Sequence, residues 1–139
     1  MGQSAFDISS LLGKGIEGPE AKAAFQSLDS SVKAKLNRDA NEIRWTSKKA
    51  GVEVRAEPKS KRIVGIFLFA GGDGFSRYAG PLPNGVHFDM KSPAVKACFA
   101  TPPTGSDSEC DSWEEENRCI MVSYDSAGKI TNLYLTTDF

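Results

Sequence analysis

The sequence predicts an α+β protein made of two tandem helix-plus-antiparallel-sheet repeats that form one continuous sheet with helices packed on one face. Three observations predict it. The octapeptide GPEAKAAF, Gly18 to Phe25, returns 74 residues later as SPAVKACF, Ser92 to Phe99, with proline, lysine, alanine and phenylalanine in register. A tryptophan follows each copy, Trp45 standing 20 residues after Phe25 and Trp113 standing 14 after Phe99. Each tryptophan opens an alternating strand, a short turn and a second strand, in WTSKKAGVEVRAEPKSKRIVGIFLF and in WEEENRCIMVSYDSAGKITNLYL. The match sets Val52 and Val54 over Ile120 and Val122, and Ile66, Phe67 and Leu68 over Leu133, Tyr134 and Leu135. Recurrence of this kind marks a duplicated unit. The boundaries that follow are 1–70 for the first repeat, 71–86 for a Gly/Pro-rich linker loop and 87–139 for the second repeat, together one compact unit of ordinary domain size.

The elements follow in chain order. FDISSLLG, with Asp7 as its cap, reads as a short leading helix. GPEAKAAFQSL starts on Gly-Pro and sets Ala21, Ala24, Phe25 and Leu28 on one face at helical spacing, with SSVKAKLNRDA continuing the helical region. In GVEVRAE the alternation assigns Val52, Val54 and Ala56 to the core; EPKSK is a hairpin turn, and RIVGIFLF returns with Val64, Ile66 and Leu68 inward. GGDGFSRYAGPLPNG, Gly71 to Gly85, is too flexible for a strand and too long for a turn, so it reads as a linker or presented loop carrying Phe75, Arg77 and Tyr78. SPAVKACF repeats the helix, with Ser92 as N-cap, Pro93 at the first helical position and Val95, Cys98 and Phe99 as the buried stripe, before TPPTG ends it. CIMVSYD puts Ile120, Val122 and Tyr124 inside and Cys119, Met121 and Ser123 opposite; after the DSAGK turn, ITNLYLTT places Leu133 and Leu135 inside. The face opposite the core gathers Phe67 and Phe69 from one copy and Asn132, Tyr134 and Thr136 from the other. Aromatic and polar groups mixed in this way suit a recognition surface.

Composition narrows the function. The net charge of −1 conceals +4 on residues 1–70 and −5 on residues 71–139. The acidic half lacks the basic stripe with interleaved aromatics that nucleic acid requires, and +4 is too dilute in the other half, so nucleic acid is not an expected partner. No apolar run approaches the roughly 20 residues that span a bilayer, and no membrane association is expected. MGQSAFDISS lacks the basic and apolar regions of a signal peptide, and Phe6 stands where myristoylation wants Ser or Thr, so the expected location is cytoplasmic. Cys98, Cys110 and Cys119 are an odd number, which favours reduced thiols.

Chemistry-bearing patterns are sparse. His87 is the single histidine. With the three cysteines it could nominally form a zinc site, but the intervals contain no close cysteine pair. GGDGF follows a strand yet lacks the lysine and following helix of a phosphate loop. No catalytic residue, metal or cofactor is therefore expected, and the protein reads as not an enzyme. Trp45 and Trp113 are read as packing helix against sheet, because both copies carry one. The acidic run DSECDSWEEE is read as a solvated loop whose negative field could steer a basic partner.

The layout of a helix with a Gly/Ser-Pro start, a tryptophan near the first strand and a closing hairpin, twice over residues 7–138, resembles the beta-lactamase inhibitor protein-like architecture. The resemblance implies two repeats whose sheets line up into one concave face that grips another protein. YAGPLPNGVHFDMKSPAVKACF, with Leu82, Pro83, Gly85, Val86 and Phe88 ahead of a short helix, is also similar to small bacterial toxin-immunity proteins. Those families commonly end that helix with Leu-Gly-x-Pro, where this chain has CFATPP. The expected function is a protein-binding inhibitor, an immunity protein that neutralises a bacterial toxin or effector by occluding its active site. Phe67, Met121 and Tyr134 are the expected anchors on the sheet, Phe75, Arg77 and Tyr78 reach in from the linker, and Glu114, Glu115 and Glu116 supply steering and rim contacts to a basic partner. The alternatives are a small-ligand or lipid-binding cup and a structural adaptor. Glu53, Arg55 and Glu57 on the outer face favour a protein surface over an apolar cup, and the oligomeric state is left open.

Overall fold

Alternating apolar and polar residues build most of this protein, whose computed structural model describes residues 7–138. The reading of the MGQSAF start, Phe6 included, falls outside those residues. The strands are β1 (Lys35–Asn37), β2 (Glu42–Ser47), β3 (Val52–Ala56), β4 (Ile63–Phe69), β5 (Gly105–Ser106), β6 (Cys110–Glu114), β7 (Cys119–Tyr124) and β8 (Ile130–Thr136). They form one antiparallel sheet in the order β1-β2-β3-β4-β8-β7-β6-β5. Two helices accompany it, α1 (Pro19–Asp29) and α2 (Ser92–Ala97), with single 3-10 turns at Ile8–Leu11 and Pro83–Gly85.

This overturns the expectation of two helix-plus-sheet repeats with helices packed on one face. The protein is mostly one eight-stranded antiparallel sheet, and its helices are short, 11 and 6 residues. The reasons are local. α1 stops at Asp29, whose carboxylate accepts hydrogen bonds from the backbone N–H and the hydroxyl of Ser31, so side-chain bonding replaces the next helical turn. The chain that was expected to continue the helix instead becomes β1 and a turn fixed by the Asn37 side chain accepting from the N–H of Ala40. α2 is followed by Pro102 and Pro103, which cannot sit inside a helix. Much of the cover over the core is irregular chain: Ile8, Leu11 and Ile16 from the leading segment, and Tyr78, Val86 and Phe88 from the loop between β4 and α2, are all buried.

One core row crosses six strands as Trp45, Val54, Ile66, Leu135, Ile120 and Trp113, and the next as Ser47, Val52, Leu68, Leu133, Val122 and Asp111. Val54 thus shares its row with Ile120, not with the Val122 that sequence matching set against it. Each tryptophan stacks on a phenylalanine from the segment above the sheet, Phe25 on Trp45 at 4.4 Å and Phe99 on Trp113 at 3.8 Å, both 9° from parallel. Each indole N–H donates to a backbone carbonyl, Trp45 to Val32 and Trp113 to Thr101. Stacked pairs of this kind contribute about 0.5–1.5 kcal/mol beyond the area they bury.

Two finer expectations also change. A register shift between Arg55 and Ala56 brings Ile63 into the core and leaves Val64 half-buried, so Val64 is not part of the inward set. Ser92 does not cap α2; its hydroxyl donates to the buried carboxylate of Asp111. The leading turn does use Asp7, which accepts from the N–H of Ser9. Finally, the glycine-rich loop is tied down by Ser76 N–H to Lys48 O and Tyr78 N–H to Phe69 O. It passes so close to Gly51 that an added Cβ there would lie 2.2 Å from the carbonyl oxygen of Ser76.

Candidate functional site

Pleating sends every second residue of a strand to the face away from the core. Across that face the register aligns Thr46, Glu53, Phe67, Tyr134, Met121 and Ser112 in one row. The row beside it runs Arg44, Arg55, Gly65, Thr136, Cys119 and Glu114. At the centre the aromatic rings form a continuous ladder. Tyr134 stacks on Phe67 at 4.1 Å, Phe67 lies 5.9 Å from Phe69, and Phe69 stacks on Phe75 at 3.9 Å. The Tyr134 ring lies across Gly65, where a Cβ would meet its hydroxyl at 2.5 Å, so a side chain there would displace the ring. The guanidinium of Arg55 sits 4.7 Å from the centre of the Phe67 ring and the ammonium of Lys48 5.7 Å from that of Phe75. Cations at these distances are attracted to the ring faces.

The two sides of the ladder differ. Towards β2 and β3, Glu42 pairs with Arg44 and Arg55, and Glu53 with Arg55, so the charges are satisfied within the face. Hydrogen bonding to Glu42 raises the Arg44 guanidinium further above its ordinary value. Towards β7 and β6 the face is neutral, with Met121, Ser112 and Ser123, until Glu114 at the end of β6 and the turn after it. There Glu115 pairs with Arg118, while Glu114 and Glu116 are exposed and form no ion pair among the described residues.

Of the residues expected to contact a partner, Phe67, Met121 and Tyr134 share one row, and Phe75 joins them through Phe69. Glu114 lies on the same face, and Glu115 and Glu116 follow it in the turn. Tyr78 is placed elsewhere: it is 4% exposed in the core, and burial pushes its hydroxyl up to about 12. Arg77 is exposed but engaged, with Asp89 at 3.0 Å and the Phe88 ring at 5.7 Å; its hydrogen bond holds the Asp89 carboxyl below the usual range. Asp111 must be removed from the acidic run, because it is fully buried and accepts hydrogen bonds from Ser92, Ser106 and Tyr124. Arg55 and Phe69 belong to the surface and were readable from strand alternation. Lys48 arrives from the turn before β3, for which alternation carries no signal. Among the described residues no group of three His, Cys, Asp or Glu side chains is placed to hold a metal, and no helix is long and apolar enough to cross a membrane. Cys98, Cys110 and Cys119 are free thiols.

The fold is similar to that of a cysteine-rich secretory protein from Staphylococcus aureus, with a TM-score of 0.63 and 11% sequence identity. The likeness covers 96% of this chain and 47% of that protein, so this chain spans about half its length. At that identity the likeness concerns the fold alone. No protein-family model and no curated protein matches the chain.

Proposed function

We propose that the protein acts by binding another protein through the outer face of its sheet, and that the partner is a bacterial toxin or effector whose active site the bound sheet occludes. The observation that carries this reading is the ladder of Phe75, Phe69, Phe67 and Tyr134, held at the centre of an otherwise solvent-facing sheet with Arg55 and Lys48 over its rings. Large aromatic side chains with few rotatable bonds lose little entropy on docking and dominate contact energetics. Six strands about 4.8 Å apart and about six residues long give a face on the order of 600 Å². A standard interface takes about 800 Å² from each partner, so the loop bearing Phe75 and the Glu114 to Glu116 turn fit as its margins. The unpaired acids at that margin select a partner that presents cations there, and they act on association rate more than on residence.

The test is capture of a partner from a cell lysate by the tagged chain, followed by quantitative binding with Phe67→Ala and Tyr134→Ala together. Loss of at least a hundredfold in affinity, with the partner's activity restored, is the expected result. Undiminished binding by the double variant assigns the contact to another surface. Truncating Tyr78 is unsuitable as a test of binding because its side chain supports the core.

A further inference from the structure

At the end of β4 the segment Gly71, Gly72, Asp73 and Gly74 takes positive φ at four consecutive residues, 122°, 94°, 53° and 84°. Gly72 is bridged to Phe75, whose N–H donates to Gly72 O; the N–H groups of Gly71, Asp73 and Gly74 donate no hydrogen bond among the described residues, and the chain is anchored before them by Ala70 N–H to Thr131 O. Gly71, Gly72 and Asp73 line a cavity of about 550 Å³. Phe69 and Phe88 supply apolar wall, and Lys91 and Lys129 also line it.

Arg77, Lys91 and Lys129 balance Asp73, Asp89 and Asp125 in formal charge, but two of the carboxylates are engaged by other groups. Of its three carboxylates, Asp89 is taken by Arg77 at 3.0 Å. Asp125 accepts from the backbone N–H groups of Ala127 and Lys129 within its own turn. Only Asp73, exposed at the rim, lacks such a partner. Lys91 and Lys129 form no ion pair among the described residues; Lys91 reaches only the carbonyl oxygen of Ala127, at 3.5 Å. Two ammonium groups without an ion pair, the amides of Gly71 and Asp73 and an apolar wall therefore line one concavity of ligand size.

We propose that this cavity binds a small anion with an apolar body, its oxyanion head against the amides of Gly71 and Asp73 and the two lysines, its body against Phe69 and Phe88. The head is a phosphate monoester or a carboxylate. The site adjoins the docking surface and shares Phe69 with its ladder, whereas Phe67 and Tyr134 do not line it.

The test is an NMR titration of the full chain, observing backbone amides, with phenyl phosphate, benzoate and inorganic phosphate as probes. Saturable shifts centred on the amides of residues 71–73 are expected, with at least one aromatic probe binding more tightly than inorganic phosphate. The better aromatic probe identifies the head group. Lys91→Gln with Lys129→Gln should weaken that probe about tenfold or more, as expected for losing charge-assisted hydrogen bonds, while Tyr134→Ala leaves it unchanged. If the double variant fails to fold, Lys129→Gln alone, at an exposed turn residue, provides the comparison. No saturable shift at those amides with any probe, inorganic phosphate binding as tightly as both aromatic probes, or full affinity in the lysine variants overturns the proposal.

Discussion

The two ends of the sheet solve the same packing problem with the same apolar parts and with opposite polar ones. At each end a phenylalanine lies 9° from parallel on a tryptophan whose N–H reaches a backbone carbonyl. The polar tie beside each stack is inverted. At the β2 end the carboxylate is Asp29 on α1 and a hydroxyl donor is Ser47 on the strand. At the β6 end the carboxylate is Asp111 on the strand and the donors are Ser92 from α2, Ser106 and Tyr124. Burying a carboxylate requires that its lone pairs be satisfied, and either element can supply the donors. The difference lies in how deeply the charge is held: Asp111 is fully inaccessible, whereas Asp29 sits at the end of a helix.

The largest effect tests what the ends share. Trp45→Ala and Trp113→Ala should each cost about 3–5 kcal/mol in urea unfolding, the range for removing a large buried aromatic. A cost below about 1 kcal/mol for either would break the equivalence. Next comes the inverted tie. Asp111→Ala leaves three hydroxyls without their acceptor and should cost about 3 kcal/mol, with Asp29→Ala costing clearly less. Equal losses would show that depth of burial does not separate the two.

Acid sharpens the same contrast. At Asp111 burial pushes the carboxyl up, but hydrogen bonds from Ser106, Ser92 and Tyr124, with Lys96 nearby, outweigh it and hold the group below the ordinary 3.8. Its folded value is therefore the lower one, so the unfolded chain takes up the proton first. The stabilisation is complete above the unfolded value and is lost as pH falls from about 3.8 through the folded value. Asp29 shifts in the same direction, chiefly through the hydroxyls of Ser31 and Ser47. Urea midpoints measured from pH 6 to pH 2 should fall steeply for the parent chain, and Asp111→Asn should flatten that fall more than Asp29→Asn. The smallest effect belongs to the outer face: Phe67→Ala should cost at most about 1 kcal/mol, the scale of a cross-strand pair, because its ring is half-buried only against its neighbours. A loss as large as the tryptophans' would make the ladder a second core.

The core strands were legible because alternation with period two is a local property. Val52, Val54, Ala56, Ile120, Val122, Leu133 and Leu135 are all buried as alternation placed them. Val64 was misplaced because the bulge at Arg55 and Ala56 is set by pairing between strands, which alternation within one strand cannot register. The aromatic face was legible for the same reason as the core, whereas Tyr78 was misread because a glycine-rich composition describes a loop's flexibility and not which of its large side chains turns inward.

By itself the sequence determined which residues alternate, where prolines and glycines stop each element, and that two phenylalanine-tryptophan pairs recur. Those are statements about neighbours in the chain, where propensity and periodicity act. Tertiary structure alone decided that Asp111 leaves the acidic run for the core, that the chain after α1 becomes an edge strand, and that Phe75, Phe69, Phe67 and Tyr134 form one ladder. Each depends on partners brought together from distant segments, because a buried carboxylate is tolerated only where donors converge and rings stack only where register aligns them.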